Sequence, residues 1–264
     1  MKILILILPI LLFLKINLFA EDFYLQHREI FSIEVKAGTN FDFHSINESI
    51  LFADEKASNF KSKLKVSPII LFAADYSITD KIHCNIAMSA SKSKSFFQAE
   101  NYFFTRDDTS PELTKVTTKE FYDYSFNIYS ISAGLSYEIF PRVINGPLKI
   151  GVGFNTNFFN NEFLYYEEIL NPQTSVFVVD GKTTRRRDLK RGEDKSLNNF
   201  AFGFSLSLEH FLKISRNMFF TQSVSYSQYF RSISKEYDWD LKTLSFTLGL
   251  RISLIKEMSN PLEP

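Results

Sequence analysis

From Phe31 to Ile255 apolar side chains recur at every second position in eight separate segments, and that period restricts the chain to β-structure. The last segment shows it most plainly: in LSFTLGLRISLI (Leu244 to Ile255), Leu244, Phe246, Leu248, Leu250, Ile252 and Leu254 share one face. Strands are expected over approximately 30–43, 65–79, 82–92, 120–140, 148–159, 199–212, 218–230 and 241–255. Each is about ten residues or longer, the length a tilted membrane strand requires. The connections after the second, fourth and sixth segments are short, and the others run on the order of 10 to 40 residues. If neighbours are antiparallel, every short turn falls at one end and every long loop at the other.

The alternation leaves open which face is dry. The apolar faces hold no Asp, Glu, Lys or Arg, and their polar exceptions are Thr39, Thr156, Gln222 and His210. The opposite faces are small and polar: Ser130, Ser132, Gly134 and Ser136 in the fourth segment, Gly151, Gly153, Asn155 and Asn157 in the fifth, Ser223, Ser225 and Ser227 in the seventh. A soluble outer surface would mix in many Lys and Glu. A narrow barrel lumen needs small residues, and a lipid-facing wall must avoid charge, which costs about 2 to 4 kcal/mol at mid-bilayer. The expectation is all-β: an eight-stranded antiparallel up-and-down transmembrane β-barrel with long extracellular loops. A soluble, exported lipocalin-like barrel binding a hydrophobic ligand is the alternative, with its faces inverted. Aromatic residues are expected in two interfacial girdles, Tyr76, Tyr137, Phe140 and Phe211 by the short turns and Tyr122, Tyr124, Phe158, Phe159, Tyr229 and Phe230 toward the long loops.

Residues 1–20 carry one early Lys and an apolar run from Ile3 to Leu14, too short to span a bilayer and suited to a secretory signal peptide cut after Ala20. Residues 21–264 would then form the barrel domain, in a bacterial outer membrane. The 30 basic and 30 acidic residues balance, which gives no reason to expect a nucleic-acid partner. Cys84 stands alone and on an apolar face, as an inert hydrophobe would.

Arg251 has the inward parity of the last strand, with Thr243, Ser245, Thr247, Gly249 and Ser253. Glu34, Lys36, Asp75, Glu138, Lys149 and Glu209 share that orientation on their own strands, with His83 beside them, all within a few residues of the short turns. Buried charges persist only when paired, so this set is expected to form an ion-pair layer plugging the periplasmic half, with Glu138 on Lys149 and Arg251 on Glu34. Above it, small residues would leave a wet cavity open toward the loops.

In the longest loop, Arg185, Arg186, Arg187, Lys190 and Arg191 are suited to the phosphates of a surface glycolipid, or form a solvated loop tip balanced by Asp188, Glu193 and Asp194. The stretch from Lys115 to Phe140 exceeds what a bilayer needs, and a projecting hairpin there can offer an edge to an extracellular protein. No catalytic, cofactor or metal motif emerges. The histidines are scattered, and His44-Ser45 point to opposite faces of one strand. A small porin or an outer-membrane lipid-modifying enzyme is a further alternative.

In the final segment, Thr247-x-Gly249-x-x-Ile252-x-Leu254 resembles the C-terminal β-signal of outer-membrane proteins. With the apolar leader and eight segments, the chain resembles the small outer-membrane barrels of the OmpA/OmpX-like kind, described as the porin family or outer membrane protein beta-barrel domain. The resemblance implies membrane lipid as surroundings and the barrel assembly machinery as the partner that reads Thr247, Gly249, Ile252 and Leu254. With nine residues after Ile255, no wall-binding domain is expected to follow. Structural and surface-interaction roles are both found in that family, so the likeness implies no single activity.

Overall fold

The computed structural model describes residues 27–46, 58–62, 64–106, 113–143, 146–171, 177–179, 182–193, 196–215, 217–235 and 238–258; the apolar leader lies outside them. Twelve strands are present in that range: β1 His27–Ile46, β2 Ser58–Ser62, β3 Lys65–Ser77, β4 Ile82–Arg106, β5 Leu113–Val143, β6 Gly146–Asn171, β7 Phe177–Val179, β8 Lys182–Thr184, β9 Arg186–Glu193, β10 Phe200–Lys213, β11 Met218–Tyr229 and β12 Trp239–Met258. Eight of them close a ring, β1-β3-β4-β5-β6-β10-β11-β12, with β12 returning antiparallel onto β1. The fold is an all-β, eight-stranded antiparallel up-and-down barrel. Among the described residues no helix is long and apolar enough to cross a membrane, which says nothing of strands.

The wall follows from the alternation. Ile33, Val35, Ile70, Phe72, Ile86, Met88, Ile131, Leu135, Val152, Phe154, Phe202, Leu206, Val224, Leu248 and Leu250 are exposed on the outside, and all eight ring strands contribute. Their small or polar neighbours in sequence point inward. On β5 the outward face is exposed at every second residue from Tyr129 to Ile139. At the usual rise and tilt this corresponds to about 33 Å of strand and about 25 Å of height.

Three ring strands run well past the belt. The β4–β5 ladder continues to Arg106↔Leu113 and the β5–β6 ladder to Thr117↔Asn171, so this side of the barrel rises as a tall sheet above the long-loop rim. β2 adds to β4 and β9 to β6, while β7 and β8 form a separate hairpin. From Arg186 on, the arginine run is therefore a strand rather than a loop tip, since Arg186–Glu193 pairs along β6, while Arg185 lies in the bend before it. A slip between Ser125 and Asn127 opposite Asn160 to Phe163 shifts β6 by one residue there. Above that slip the even-numbered Leu164, Glu168 and Leu170 are buried, where the odd-numbered Asn155 and Asn157 are buried below.

Candidate functional site: the filled lumen

Near the short turns the inward charges meet around one carboxylate and one ring. Arg251 Nη1 donates to Asp75 Oδ2 at 3.0 Å, Lys149 Nζ lies 3.9 Å from the same oxygen, and His83 Nδ1 is 3.5 Å from Asp75 Oδ1. Lys36 Nζ bridges Glu209 at 2.8 Å and Glu34 at 3.0 Å. Both Arg251 and Lys149 lie over the Phe211 ring, at 4.8 and 5.1 Å from its centroid. Glu34, Lys36, Asp75, His83, Lys149 and Arg251 are all buried.

The backbone register does set Glu138 opposite Lys149 and Glu34 opposite Arg251. The ion pairs nevertheless reach beyond neighbouring strands, because long side chains in a narrow lumen meet across it. Phe211 does not join a girdle: it is 2% exposed and faces the cations from inside.

At the loop end the expected open cavity is instead filled. Phe97, Tyr122, Tyr124, Phe126, Ile128, Leu197, Ile233, Trp239 and Leu241 form a buried core there, with Phe159 and Tyr229 packed against it. Tyr122 and Tyr124 are thus inside, on the same parity as Ser130 and Ser132, while Phe158 and Phe230 remain exposed outside. The Trp239 ring is met by Tyr124, Phe97 and Phe126 at centroid distances of 5.0, 5.4 and 5.9 Å in edge contacts. Two loop segments lock over it. Asn198 N donates to Ile233 O, Lys235 N to Ser196 O, and Asn198 Nδ2 to the carbonyls of Ser232 and Ser234. Glu162 receives Ser196 Oγ and Leu197 N, tying this cap to β6.

Beneath the core lies a buried acid that alternation alone marks as inward, Asp42. Its carboxylate accepts from Ser93 Oγ at 2.7 Å, Thr243 Oγ1 at 2.9 Å and Ser67 Oγ at 3.1 Å. Trp239 Nε1 donates to His44 Nδ1 at 3.1 Å, and an indole nitrogen can only donate, so the His44 proton sits on Nε2 and faces Ser93 Oγ at 3.3 Å. The order is Trp239 to His44 to Ser93 to Asp42, each donating to the next. In that tautomer neither ring nitrogen of His44 has a lone pair free to accept the Ser93 proton, and the buried hydroxyl already donates to a carboxylate. The geometry is that of a structural network, not of a nucleophile with its base.

Between the two ends, Ser89, Ser130, Ser132, Ser205, Ser207 and Ser225 line the lumen half-buried. Asn155 takes part in a lattice with Ser205 and Ser227, and Asn40 accepts from Ser245. In β12, Thr247 is buried in the lumen and Ile252 and Leu254 are exposed outside. A Cβ on Gly249 would collide with the Val35 carbonyl and Lys36 across the closing seam, so glycine there has a packing reason of its own. Arg185, Arg186 and Arg191 are exposed, Arg186 Nε lies 3.1 Å from Glu167 Oε2, and the side chains of Arg187 and Lys190 fall outside the described residues. No group of three or more metal-ligating side chains occurs among the described residues.

No protein-family model matches the sequence, and no curated protein matches it. Among solved structures, the outer membrane protein OprG from Pseudomonas aeruginosa is similar over 89% of this chain and 100% of its own, with a TM-score of 0.45 and 12% identity. Neisserial surface protein A is similar over 85% of this chain and 97% of its own (TM-score 0.41, 10% identity). Ail, the attachment invasion locus protein of Yersinia pestis, solved with a heparin analogue, is similar over 84% and 99% (TM-score 0.39, 11% identity).

Proposed function

We propose that this chain is an integral barrel of the bacterial outer membrane, exported by residues 1–20, closed to ion flow, and acting through structure or surface interaction rather than catalysis. The observation that carries this is the direction of the faces. Within the belt, aliphatic and aromatic side chains cover the outside of all eight ring strands, and the charges of the ring strands at that height are inside. Only a hydrocarbon surrounding makes that arrangement favourable. A soluble barrel holding a hydrophobic ligand needs the opposite faces. Thr247, Gly249, Ile252 and Leu254 serve in this reading as the strand presented to the assembly machinery, and the tall sheet of β4, β5, β6 and β9 is the surface offered outward, to glycolipid or to an extracellular protein.

Cell fractionation with gel electrophoresis of unheated and boiled samples tests the location. The protein is expected in the outer-membrane fraction with a mobility that changes on boiling, and recovery in the soluble fraction with no shift sinks the reading. Leu248, 56% exposed on the outside of β12, supplies the matching variant. Leu248→Arg places a charge on the lipid face, costs about 2 to 4 kcal/mol, and should leave little heat-modifiable protein in the membrane.

A bore is not offered by a lumen filled at both ends. In planar bilayers the protein is expected to show no stable open state. Sustained large conductance steps would show that the two layers do not close the barrel.

A further inference from the structure

Among the described residues, the outer wall parts between β3 and β4 near the loop end. β3 pairs with β4 from Ser77↔His83 to Ile69↔Ser91 and there the ladder stops, although β4 continues to pair with β5 far beyond. The next residue of β3 toward the loop end is Pro68, which has no amide hydrogen to give. A groove opens at this point, lined on the outside by Pro68, Ile70, Ala90, Lys92, Asn127 and Tyr129. Ile69 and Ser91, which belong to the inward faces, also line it, so the groove is a shallow depression where the two strand edges separate.

The groove straddles the upper edge of the apolar belt. Going up β4 and β5, the outward cross-strand pairs are Met88↔Ile131 and Ala90↔Tyr129, then Lys92↔Asn127 and Lys94↔Ser125. Lys92 and Lys94 are exposed and ion-pair with no carboxylate among the described residues. Asp123, the next acid along this strip, stands one outward pair higher, opposite Phe96. An apolar slot capped by two uncompensated cations, at the height where hydrocarbon gives way to headgroups, matches an amphiphile with an anionic head.

We propose that this groove holds one phosphorylated lipid of the outer leaflet, its phosphate against Lys92 and Lys94 and an acyl chain between Pro68, Ile70 and Ala90. The proposal rests on the outer-membrane reading. It differs from a glycolipid site on β9, since the cations here border the membrane belt.

Native mass spectrometry of the full barrel in zwitterionic detergent, titrated with diphosphoryl lipid A, tests it. The wild type is expected to take up one lipid. Lys92→Gln with Lys94→Gln should weaken uptake at least about tenfold, as loss of charge-assisted hydrogen bonds implies. Ala90→Trp, which fills the apolar part and keeps both cations, should weaken it too, and Lys81→Gln at the opposite, short-turn end should leave it unchanged. Equal uptake by the wild type and the double lysine variant overturns the proposal. So does loss of uptake in Arg185→Gln with Arg191→Gln alone, or displacement of the lipid by millimolar inorganic phosphate, which would leave the apolar slot without a part. The mobility shift on boiling keeps the two readings apart. A wild type lacking the shift refutes the membrane barrel itself, whereas shifting variants that all bind equally refute only the lipid site.

Discussion

Arg251→Leu is expected to lower the stability of the folded barrel by about 3 to 5 kcal/mol, read as a fall in the urea concentration or temperature at which the unheated gel form is lost. Leucine removes the guanidinium that lies 3.0 Å from Asp75 and 4.8 Å from the centre of the Phe211 ring, and it supplies no donor in return. Asp75 then keeps only Lys149 at 3.9 Å and the weaker contact of His83. Asp75→Asn should be at least as damaging, because it leaves Arg251 and Lys149 as two buried cations over one ring without their shared anion. The double variant decides whether the pair acts as a unit. Its loss should be smaller than the sum of the single losses by about 0.5 to 3 kcal/mol, and strict additivity would mean that each charge is held by other groups.

Much of the barrel could be read from alternation because lipid permits few exceptions. The inward parity that assigns Arg251 to the lumen assigns Lys36, Asp75 and Lys149 there too, and they are buried inside. Pair choice was not legible in the same way. Sequence neighbours on adjacent strands suggest Glu34 for Arg251, and register does oppose them, but whether a long side chain turns to its neighbour or reaches across depends on the width of the lumen. Phe211 illustrates a different failure. Its parity is that of Glu209, so alternation places it inside, whereas composition makes any Phe near a turn look interfacial.

The aromatic end was legible by the same rule carried further. Continuing the inward sets of β4, β5 and β12 past the serines reaches Phe97, Phe126, Tyr124 and Trp239, all inward and all at the loop end toward which the sequence leads one to expect an open cavity. What no period shows is that Leu197 and Ile233 come from two different loops to cover them. That contact depends on Glu162, displaced inward by the slip in β6, and on hydrogen bonds between segments far apart in sequence. Asp42 is missing from the inward charges read from the sequence, although it shares the parity of Glu34 and Lys36, and its three hydroxyl donors come from β3, β4 and β12 and are visible only once the ring has closed.

Phe126→Ala should destabilise this end by about 3 to 5 kcal/mol, because a fully buried ring touching Trp239, His44 and Phe159 is replaced by a cavity. Trp239 is the only tryptophan, so its emission reports on the core directly. A shift to the red and easier quenching by acrylamide are expected in Phe126→Ala, whereas Phe154→Ala, which removes a ring 72% exposed on the outer wall, should leave both unchanged. The two filled ends also make a joint prediction, since in the proposed closed barrel they act in series. Phe126→Ala opens only the loop end and Arg251→Leu only the turn end, so neither alone should conduct in a planar bilayer. Conductance confined to the double variant would establish two independent closures; conductance in one single variant would assign the seal to the layer that variant disrupts.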